Sequence, residues 1–446
     1  MKIIIIGGVA GGTTAAAKAR RNDKTAEIKI FEADQDISYS GCALPYYISN
    51  KITDRAEVVP RNAAFFKQKY NVDVFTSHRV LEIKPEVKQI AIENLTTHEF
   101  FSESYDKLLI STGAVSTVLP IDGSDKENVF YLRTVANADK IRRFISEVTP
   151  KNVVIVGTGF IGMELAESFS TRGIKVTMVE LAPHVMPTLD KEMSEYLEEY
   201  LRGQKIGLVT GDSAAKFVGS PLVNKVILKS GRELATDFVI MAVGIKPNIS
   251  LAQKANVQLG TTGAIQVNTK METSIKDIYA CGDCAESFSI ITGKVFYRPL
   301  GSTANKMGRV AGDQMTGGNL EFHGGLGTGI FKVLDMTVAQ IGLTEKEALR
   351  EGYEVIVSHD RKPDKPKYYG GQEMFIKAVA DSKTGRVLGA QIIGPAGVDK
   401  RIDIFATAIT FGAKAEDLTN LDLAYSPPFS TAKDPVIFTG MILSKG

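Results

Sequence analysis

A strand, a glycine-rich turn, a helix and a second strand follow one another twice in this chain, and no other feature constrains the fold as strongly. The first copy begins KIIIIGGVAGG and ends EIKIFE, and the second begins NVVIVGTGFIG and ends KVTMVE. The continuous β-branched runs predict parallel strands that are covered on both faces. A glycine turn that opens a helix presents backbone N–H groups and the positive helix end to a phosphate. The pattern therefore predicts an α/β fold with two Rossmann-like units that bind dinucleotides.

The first copy carries Gly7 and Gly12 at the outer positions of the G-x-G-x-x-G fingerprint, with Val9 at the middle position. Glu32 ends the next strand, twenty residues after Gly12, where a carboxylate can hold ribose hydroxyls. We expect YDKLLISTGA and IYACGDCAES to add two further strands to this unit. Asp283 would then lie at a strand end, before a helix near PLGSTANKMG, where it can hold a hydroxyl of the bound cofactor.

The second copy carries the complete fingerprint at Gly157, Gly159 and Gly162, and Glu180 ends its following strand. A carboxylate at this position accepts a hydrogen bond from a free ribose 2′-hydroxyl and repels a 2′-phosphate. We therefore expect NADH to bind in preference to NADPH. The alternative is that Glu180 is only a solvated strand end.

The composition of the 446-residue chain indicates several domains and a nearly neutral protein. Lys and Arg number 53 against 51 Asp and Glu, so no overall field favours nucleic acid. No apolar run approaches the roughly 18 residues that a membrane span needs. Three cysteines fit a reducing cytoplasm. Cys281 and Cys284 form a C-x-x-C without a second ligand pair among the five histidines, so we expect a structural role and no metal.

Beyond Gly324 the sequence changes to a strand-rich pattern. A hairpin turn is predicted at DSKTGR, a helix at DKRIDIFATAITFG, and a proline-rich segment follows at AYSPPFSTAKDP. This order predicts a third domain of α+β type.

The stretch SYSGCALPYYISN holds Cys42, and no second cysteine lies within two hundred residues of it. Together with both fingerprints, the STGA turn and the ACGD strand end, this stretch makes the chain resemble the flavin-dependent pyridine nucleotide–disulfide oxidoreductases from end to end. GGVAGG, SGCALPYY and AYSPPFSTAKDP resemble the single-cysteine branch of that family, and within it the coenzyme A-disulfide reductases.

The resemblance implies an FAD-binding domain at 1–117 and 246–322, an NADH-binding domain at 118–245, and a C-terminal α+β dimerisation domain at 323–446. It also implies a cytoplasmic homodimer in which each active site receives residues from the partner's C-terminal segment. A small-molecule disulfide or persulfide would be the substrate.

The same resemblance implies two sets of cofactor-binding residues. The FAD site would use Gly7, Gly8, Ala10, Gly11, Gly12, Glu32, Ala33, Thr112, Gly113, Asp283, Pro299, Leu300, Gly301 and Ala304. The NADH site would use Gly157, Gly159, Gly162, Glu180 and Gly244.

The resemblance gives Cys42 a redox role. Cys42 would rest as a mixed disulfide with coenzyme A, and electrons passed from NADH through FAD would leave it as a thiolate that attacks coenzyme A disulfide. Only the thiolate attacks, and the N-terminus of a helical turn at LPYYISN would lower its pKa. Tyr425 and Tyr368 of the partner subunit would protonate the departing thiolate. Packing at the interface is the alternative role of both tyrosines.

Coenzyme A carries phosphates, so its site needs cations and polar groups. The resemblance implies that these are Thr14, Lys18, Arg21, Ser38, Lys69 and Asn305, with Lys433 from the partner. Lys18 and Arg21 lie three residues apart and hence on one helix face. A solvated helix surface would show the same pattern.

Three other functions remain open. The chain ends at Gly446 without the rhodanese domain that persulfide reductases of this branch often append, which favours the disulfide over a coenzyme A persulfide or polysulfide. Ala10 stands where oxidases and peroxidases of the branch carry histidine, which disfavours peroxide chemistry and, less strongly, an NADH oxidase. The last alternative is a flavoprotein that senses NADH and acts by binding a partner.

Overall fold

The computed structural model describes residues 1–445, which form two compact units. The first unit comprises Met1–Thr117, Arg133–Val135 and Ile245–Gly325. The second comprises Val118–Leu132, Ala136–Gly244 and the described chain from Leu326 onward. Both units are therefore discontinuous in sequence.

Strands and helices are numbered here in chain order. The strands are β1 (Lys2–Ile6), β2 (Glu27–Phe31), β3 (Asp73–Phe75), β4 (His78–Lys84), β5 (Gln89–Asn94), β6 (Phe100–Ser104), β7 (Lys107–Ile110), β8 (Ala114–Ser116), β9 (Val129–Phe130), β10 (Asn152–Val156), β11 (Lys175–Glu180), β12 (Gly207–Thr210), β13 (Ala214–Val218), β14 (Lys225–Leu228), β15 (Glu233–Ala235), β16 (Phe238–Met241), β17 (Ile245–Pro247), β18 (Ile278–Ala280), β19 (Ser287–Phe288), β20 (Val295–Phe296), β21 (Gly329–Val333), β22 (Met336–Gly342), β23 (Val355–Pro363), β24 (Glu373–Asp381) and β25 (Val387–Gly394). The helices are α1 (Ala10–Asn22), α2 (Leu44–Ile48), α3 (Arg55–Val58), α4 (Ala63–Tyr70), α5 (Val135–Val148), α6 (Phe160–Ser170), α7 (Lys191–Gly203), α8 (Ser250–Lys254), α9 (Gly301–Gln314), α10 (Glu345–Arg350), α11 (Val398–Thr410), α12 (Ala415–Thr419) and α13 (Pro435–Leu443).

The first unit is built on a parallel sheet with the strand order β18-β7-β1-β2-β3. Its central strand β1 is buried from residue 3 to residue 6, as the β-branched run predicts. Helices α1 and α9 pack closely because glycines lie at their contact. A Cβ atom at Gly308 would come within 2.3 Å of the Gly11 carbonyl oxygen, and one at Gly312 within 2.4 Å of that of Ala15. The two strands predicted from YDKLLISTGA and IYACGDCAES are β7 and β18, both in this sheet.

The second unit contains two large sheets. The first is parallel, with the order β12-β11-β10-β16-β9, and the second is antiparallel, with the order β21-β22-β25-β24-β23. The predicted hairpin at DSKTGR connects β24 to β25, and the predicted helix after it is α11. The α/β fold class, with two Rossmann-like parallel sheets and a C-terminal α+β part, is confirmed.

A row of polar side chains crosses the antiparallel sheet at a single register and meets the start of α7. The Lys377 ammonium is 1% exposed and lies 3.0 Å from Asp190 Oδ2 and 2.7 Å from Glu345 Oε2, and it also binds the Glu192 carboxylate. The Asp190 N–H donates to Gln391 Oε1 over 2.8 Å. These contacts hold the N-terminus of α7 on the sheet. The members of the row, from β22 to β23, are Gln340, Gln391, Lys377 and His359.

None of the helices within residues 1–445 is both long enough and apolar enough to cross a lipid bilayer.

Candidate active site

The first glycine turn connects β1 to α1 and leaves no room for a side chain at its first and third fingerprint glycines, Gly7 and Gly12. Gly7 has a φ of +106°, and a Cβ atom there would lie 2.1 Å from the Ser111 carbonyl oxygen. A Cβ atom at Gly12 would lie 1.9 Å from the Gly7 carbonyl oxygen. The Gly8 N–H donates to Glu32 Oε2 over 2.7 Å, and burial raises the pKa of the Glu32 carboxyl. This turn brings the predicted glycines and the predicted acid together.

The second glycine turn connects β10 to α6 and repeats this geometry. Gly157 has a φ of +103°, and a Cβ atom at Gly162 would lie 2.3 Å from the Gly157 carbonyl oxygen. Gly159 is the N-cap residue of α6, and no atom lies within 4 Å of where its Cβ would be. Glu180 accepts hydrogen bonds from the N–H and the hydroxyl of Thr158, at 3.0 and 2.6 Å.

A cavity in the first unit lies beside the start of α9. Four of its lining residues were predicted cofactor-binding residues, namely Asp283, Pro299, Leu300 and Ala304. Arg133 Nη2 lies 2.8 Å from Asp283 Oδ2, and the Tyr297 hydroxyl donates to the Asp283 carbonyl oxygen over 2.8 Å. Gly301, also predicted, begins α9 beside this cavity. The turn, the acid at the end of β2 and this cavity lie in one unit and fit the dinucleotide predicted for it.

The remaining predicted cofactor residues lie just beyond strand ends or at the start of α1. Thr112 and Gly113 follow β7, where the Thr112 hydroxyl donates to the Asn248 carbonyl oxygen over 2.6 Å and Gly113 has a φ of +69°. Ala33 follows Glu32, while Ala10 and Gly11 open α1. In the second unit, Gly244 lies just beyond β16 with a φ of +97°.

Cys42 lies in a turn that is tied to the first glycine turn. The Ser38 N–H donates to the Gly8 carbonyl oxygen over 2.8 Å, and Ser38 has a φ of +51°. Four residues further on, Cys42 occupies the middle of the 3-10 turn Gly41–Ala43, directly before α2, and is exposed. The predicted helical turn at LPYYISN is therefore present and begins next to this cysteine.

The other two cysteines are inaccessible. Cys281 and Cys284 have no exposed surface, and burial raises the pKa of both thiols. The Cys284 sulfur lies 3.3 Å from the Cys281 carbonyl oxygen and 3.5 Å from the Ile110 carbonyl oxygen, and both can accept from its thiol. A raised thiol pKa and burial both disfavour the reactive thiolate.

Several predicted coenzyme A residues lie on the contact between α1 and α9. The Thr14 hydroxyl donates to Asn305 Oδ1 over 2.6 Å. One turn later on α1, the Lys18 ammonium lies 2.9 Å from Asp313 Oδ1, so this predicted phosphate ligand has an internal partner. Arg21 is exposed near the end of α1. The structure therefore brings Thr14 and Asn305 into direct contact and leaves a cation one turn away.

Lys69 lies elsewhere in the first unit, in the last turn of α4, where its ammonium sits 5.3 Å from the ring centroid of Phe65. Three predicted residues belong to the second unit. Tyr368 and Tyr425 are 75% and 52% exposed, and the Lys433 ammonium lies 5.0 Å from the ring centroid of Phe438. Within the described chain these tyrosines present apolar rings to the outside.

Sequence reasoning missed three groups. The hydroxyl of Thr158 binds Glu180 but occupies a variable position of the fingerprint. Arg133 pairs with Asp283 from a distant segment. Burial beside Glu167 raises the pKa of Glu164, on α6, to about 7. Of the three, only Thr158 could have been noticed in the sequence, as a hydroxyl between two fingerprint glycines. Arg133 and Glu164 meet their charged neighbours only in the folded chain.

Glu192, Glu345 and His359 lie close enough together to suggest a metal site. The Lys377 ammonium already binds both of these carboxylates. The cluster is therefore an ion-pair network around a buried lysine.

Comparison with known proteins gives a consistent result. A family model described as pyridine nucleotide-disulphide oxidoreductase matches residues 1–308, and a model of the dimerisation domain of the same description matches residues 329–435. A Pyrococcus horikoshii protein named NAD(P)H coenzyme A polysulfide/persulfide reductase is 37% identical over 99% of this chain and 98% of its own length. A Staphylococcus haemolyticus protein named coenzyme A disulfide reductase is 34% identical over 98% of both chains. The solved structure of reduced Bacillus anthracis CoADR-RHD has a TM-score of 0.97 and 39% identity, covering all of this chain and 80% of that one.

Proposed function

Because the chain belongs to the pyridine nucleotide–disulphide oxidoreductase family, and is thus an FAD-dependent NAD(P)H disulfide oxidoreductase, we propose that it reduces coenzyme A disulfide through Cys42. FAD would occupy the first unit and NADH the second. The match to the dimerisation domain of the family supports a homodimer. The partner subunit's Tyr425 and the partner subunit's Tyr368 would serve each active site.

The observation that carries this proposal is the accessibility of a single cysteine. Cys42 is exposed in a turn anchored to the first glycine turn through Ser38, whereas Cys281 and Cys284 are buried with raised thiol pKa values. Disulfide exchange requires a thiolate that can reach a sulfur in solution. Of the three thiols, Cys42 is the one that is accessible from solution.

The chemistry conserves atoms and electrons. Bound FAD supplies a two-electron relay between a nicotinamide and a sulfur. Cys42 thiolate attacks one sulfur of coenzyme A disulfide, the S–S bond of the substrate breaks, and one coenzyme A leaves as a thiolate that takes a proton. Two electrons that originate in NADH then break the Cys42–S–S–CoA bond and release the second coenzyme A. The sum is NADH, one proton and coenzyme A disulfide giving NAD⁺ and two coenzyme A thiols.

The polar groups on α1 and α9 support coenzyme A as the companion of Cys42. Thr14 on α1 and Asn305 on α9 form one hydrogen-bonded pair. The cations Lys18 and Arg21 follow Thr14 on α1. Phosphates bind such combinations of cations and hydroxyls. Ser38 and Lys69 of the same chain and Lys433 of the partner subunit complete the proposed site.

Glu180 supports NADH as the coenzyme. Its carboxylate ends β11 and is held by the second glycine turn, where it would accept from a ribose 2′-hydroxyl and repel a 2′-phosphate. Steady-state rates with NADH and NADPH test this statement, and equal kcat/KM values would contradict it.

A coenzyme A persulfide or polysulfide is the second candidate acceptor. The relative named for that activity has almost the same length as this chain, so chain length does not separate the two acceptors. With a persulfide, NADH and CoA–S–SH would give NAD⁺, coenzyme A and hydrosulfide at the same cysteine. Release of sulfide rather than of two thiols identifies this case.

The test is an anaerobic assay of thiol and sulfide release with wild-type protein, Cys42→Ser and Cys284→Ala. We expect Cys42→Ser to keep its flavin and lose at least about a thousandfold in disulfide turnover, because serine cannot form the mixed disulfide. Cys284→Ala, which removes a buried thiol, is expected to remain active. Undiminished thiol release by Cys42→Ser would refute the proposal. A wild type that releases no thiol in the anaerobic assay, but oxidises NADH once oxygen is admitted, would favour an NADH oxidase.

A further inference from the structure

The second glycine turn contains a side chain where the first has none. Thr158 follows Gly157 as Gly8 follows Gly7, and it is 1% exposed. Its hydroxyl lies 2.6 Å from Glu180 Oε2 and 3.1 Å from the backbone nitrogen of Met186. One buried oxygen thus connects the turn, the acid and a later segment.

The direction of these hydrogen bonds follows from chemistry. A backbone N–H can only donate, so the Met186 N–H occupies a lone pair of the Thr158 oxygen. The single hydroxyl proton must therefore point to Glu180, whose ionised carboxylate can only accept. A hydrogen bond to a charged group is also among the stronger ones in proteins.

Met186 belongs to the loop 181–190, which connects β11 to α7. Met186 has a φ of +48° and a buried side chain, a conformation that a non-glycine residue adopts only where its surroundings hold it. The loop is held at three further points. The Ala182 N–H donates to Glu180 Oε1 over 2.9 Å, the Val185 N–H donates to Glu198 Oε1 over 2.9 Å, and Asp190 binds the antiparallel sheet.

The Glu180 carboxylate therefore accepts three hydrogen bonds from the protein, two from Thr158 and one from Ala182. A carboxylate offers about four lone-pair positions. The remaining position is available to a donor such as a ribose 2′-hydroxyl. A carboxylate held in this way cannot turn aside for a 2′-phosphate without losing hydrogen bonds.

We propose that Thr158 is a positioning residue that determines coenzyme selectivity by fixing the Glu180 carboxylate and the loop 181–190 with one hydroxyl. The inference rests on the preference for NADH in the proposed function, and it names the group that enforces that preference. Without the hydroxyl, Glu180 gains rotational freedom, so it holds the 2′-hydroxyl less firmly and repels a 2′-phosphate less strongly.

The test compares the dissociation constants of NAD⁺ and NADP⁺, measured by calorimetry on the flavin-loaded protein. The variants are Thr158→Val, which keeps the shape and removes the hydroxyl, and Thr158→Ser, which keeps the hydroxyl. Thr236→Val is the matched control. Like Thr158, Thr236 is buried in the second unit. Its hydroxyl donates to the Phe238 carbonyl oxygen and accepts from the Val154 N–H, so it acts both as donor and as acceptor, as the Thr158 hydroxyl does.

We expect the ratio of the NADP⁺ to the NAD⁺ dissociation constant to fall about tenfold in Thr158→Val, the value of one lost charge-assisted hydrogen bond. Thr158→Ser should stay within about threefold of the wild type. Thr236→Val should lower the melting temperature and leave the ratio unchanged. This pattern separates selectivity from stability.

If Thr158→Val keeps the wild-type ratio of dissociation constants, or if Thr158→Ser lowers that ratio as much as Thr158→Val does, the inference about Thr158 is overturned. The coenzyme preference in the proposed function would still stand. A wild type that binds NAD⁺ and NADP⁺ equally would overturn the coenzyme preference in the proposed function, and this inference with it. Neither result depends on coenzyme A disulfide turnover. The proposed role of Cys42 is therefore tested independently, by the thiol-release assay.

Discussion

The two glycine turns have nearly the same backbone and serve different neighbours. The φ values of Gly7 and Gly157 are +106° and +103°, and a Cβ atom at Gly12 or Gly162 would lie 1.9 or 2.3 Å from the carbonyl oxygen of the first glycine. Each turn also places a backbone N–H on the acid that ends the next strand. The shared task of binding a dinucleotide accounts for this common geometry.

The helices that begin at these turns carry opposite charges. Seven residues after the first glycine, α1 has Thr14 and α6 has Glu164. One turn later α1 has Lys18, whereas α6 carries Glu167. The two turns share the geometry that suits a dinucleotide, whereas the two helices differ in charge, and only the cations of α1 would suit the anionic substrate of the proposed function.

The largest expected effect comes from filling the third glycine of either turn. Gly12→Ala should reduce flavin content to less than about a tenth, because moving the Gly7 carbonyl costs about 3 kcal/mol. Gly162→Ala should keep the flavin and weaken NAD⁺ binding by a similar factor. Flavin absorbance and calorimetry measure the two losses.

Gly203→Ala is the matched control for these variants, because Gly203 lies in α7 with no atom within 4 Å of its Cβ position. This variant should keep both the flavin and NAD⁺ binding. Loss of flavin from Gly162→Ala, with flavin retained in Gly12→Ala, would exchange the roles of the two turns.

The charged face of α6 predicts a dependence of stability on pH. Burial raises the folded-state pKa of Glu164 from 4.5 to about 7, so its contribution to stability is fully present below pH 4.5 and lost as the pH rises through 7. Relative to the wild type, Glu164→Gln should therefore gain about 2 kcal/mol in the free energy of unfolding between pH 5 and pH 8. Denaturant unfolding at the two pH values measures this gain.

The exposed Glu199→Gln on α7 provides the control for this experiment, since it removes a carboxylate that stays in solvent. Its difference from the wild type should be the same at both pH values. If the difference in unfolding free energy between Glu164→Gln and the wild type were also the same at both pH values, the Glu164 carboxyl would not be desolvated by the fold.

A smaller effect is expected on the cationic face of α1. Arg21→Gln should raise the KM for coenzyme A disulfide about tenfold, the value of one charge-assisted hydrogen bond to phosphate, without changing the KM for NADH. Arg21 is the better choice here because Lys18 also binds Asp313. Arg202→Gln, in the last turn of α7, is the control. An unchanged KM for coenzyme A disulfide in Arg21→Gln would show that the cationic face of α1 is an ordinary solvated helix surface.

The sequence was sufficient to predict the strands, the glycine turns and the acids that end β2 and β11, because these follow from short-range patterns. It was not sufficient for contacts that depend on distant segments. Lys18 was predicted as a phosphate ligand, and only the packing of α9 on α1 brings Asp313 to it. The role proposed for Thr158 likewise depends on the left-handed conformation of Met186, which no fingerprint encodes.

The central claim is that electrons reach substrate through the exposed Cys42. The most direct measurement is the intact mass of NADH-reduced protein after anaerobic treatment with coenzyme A disulfide, followed by peptide mapping. The account predicts one added coenzyme A, located on Cys42, removed by further NADH and absent from Cys42→Ser. An unmodified Cys42 in protein that turns over the disulfide, or coenzyme A found on Cys281 or Cys284, would contradict it.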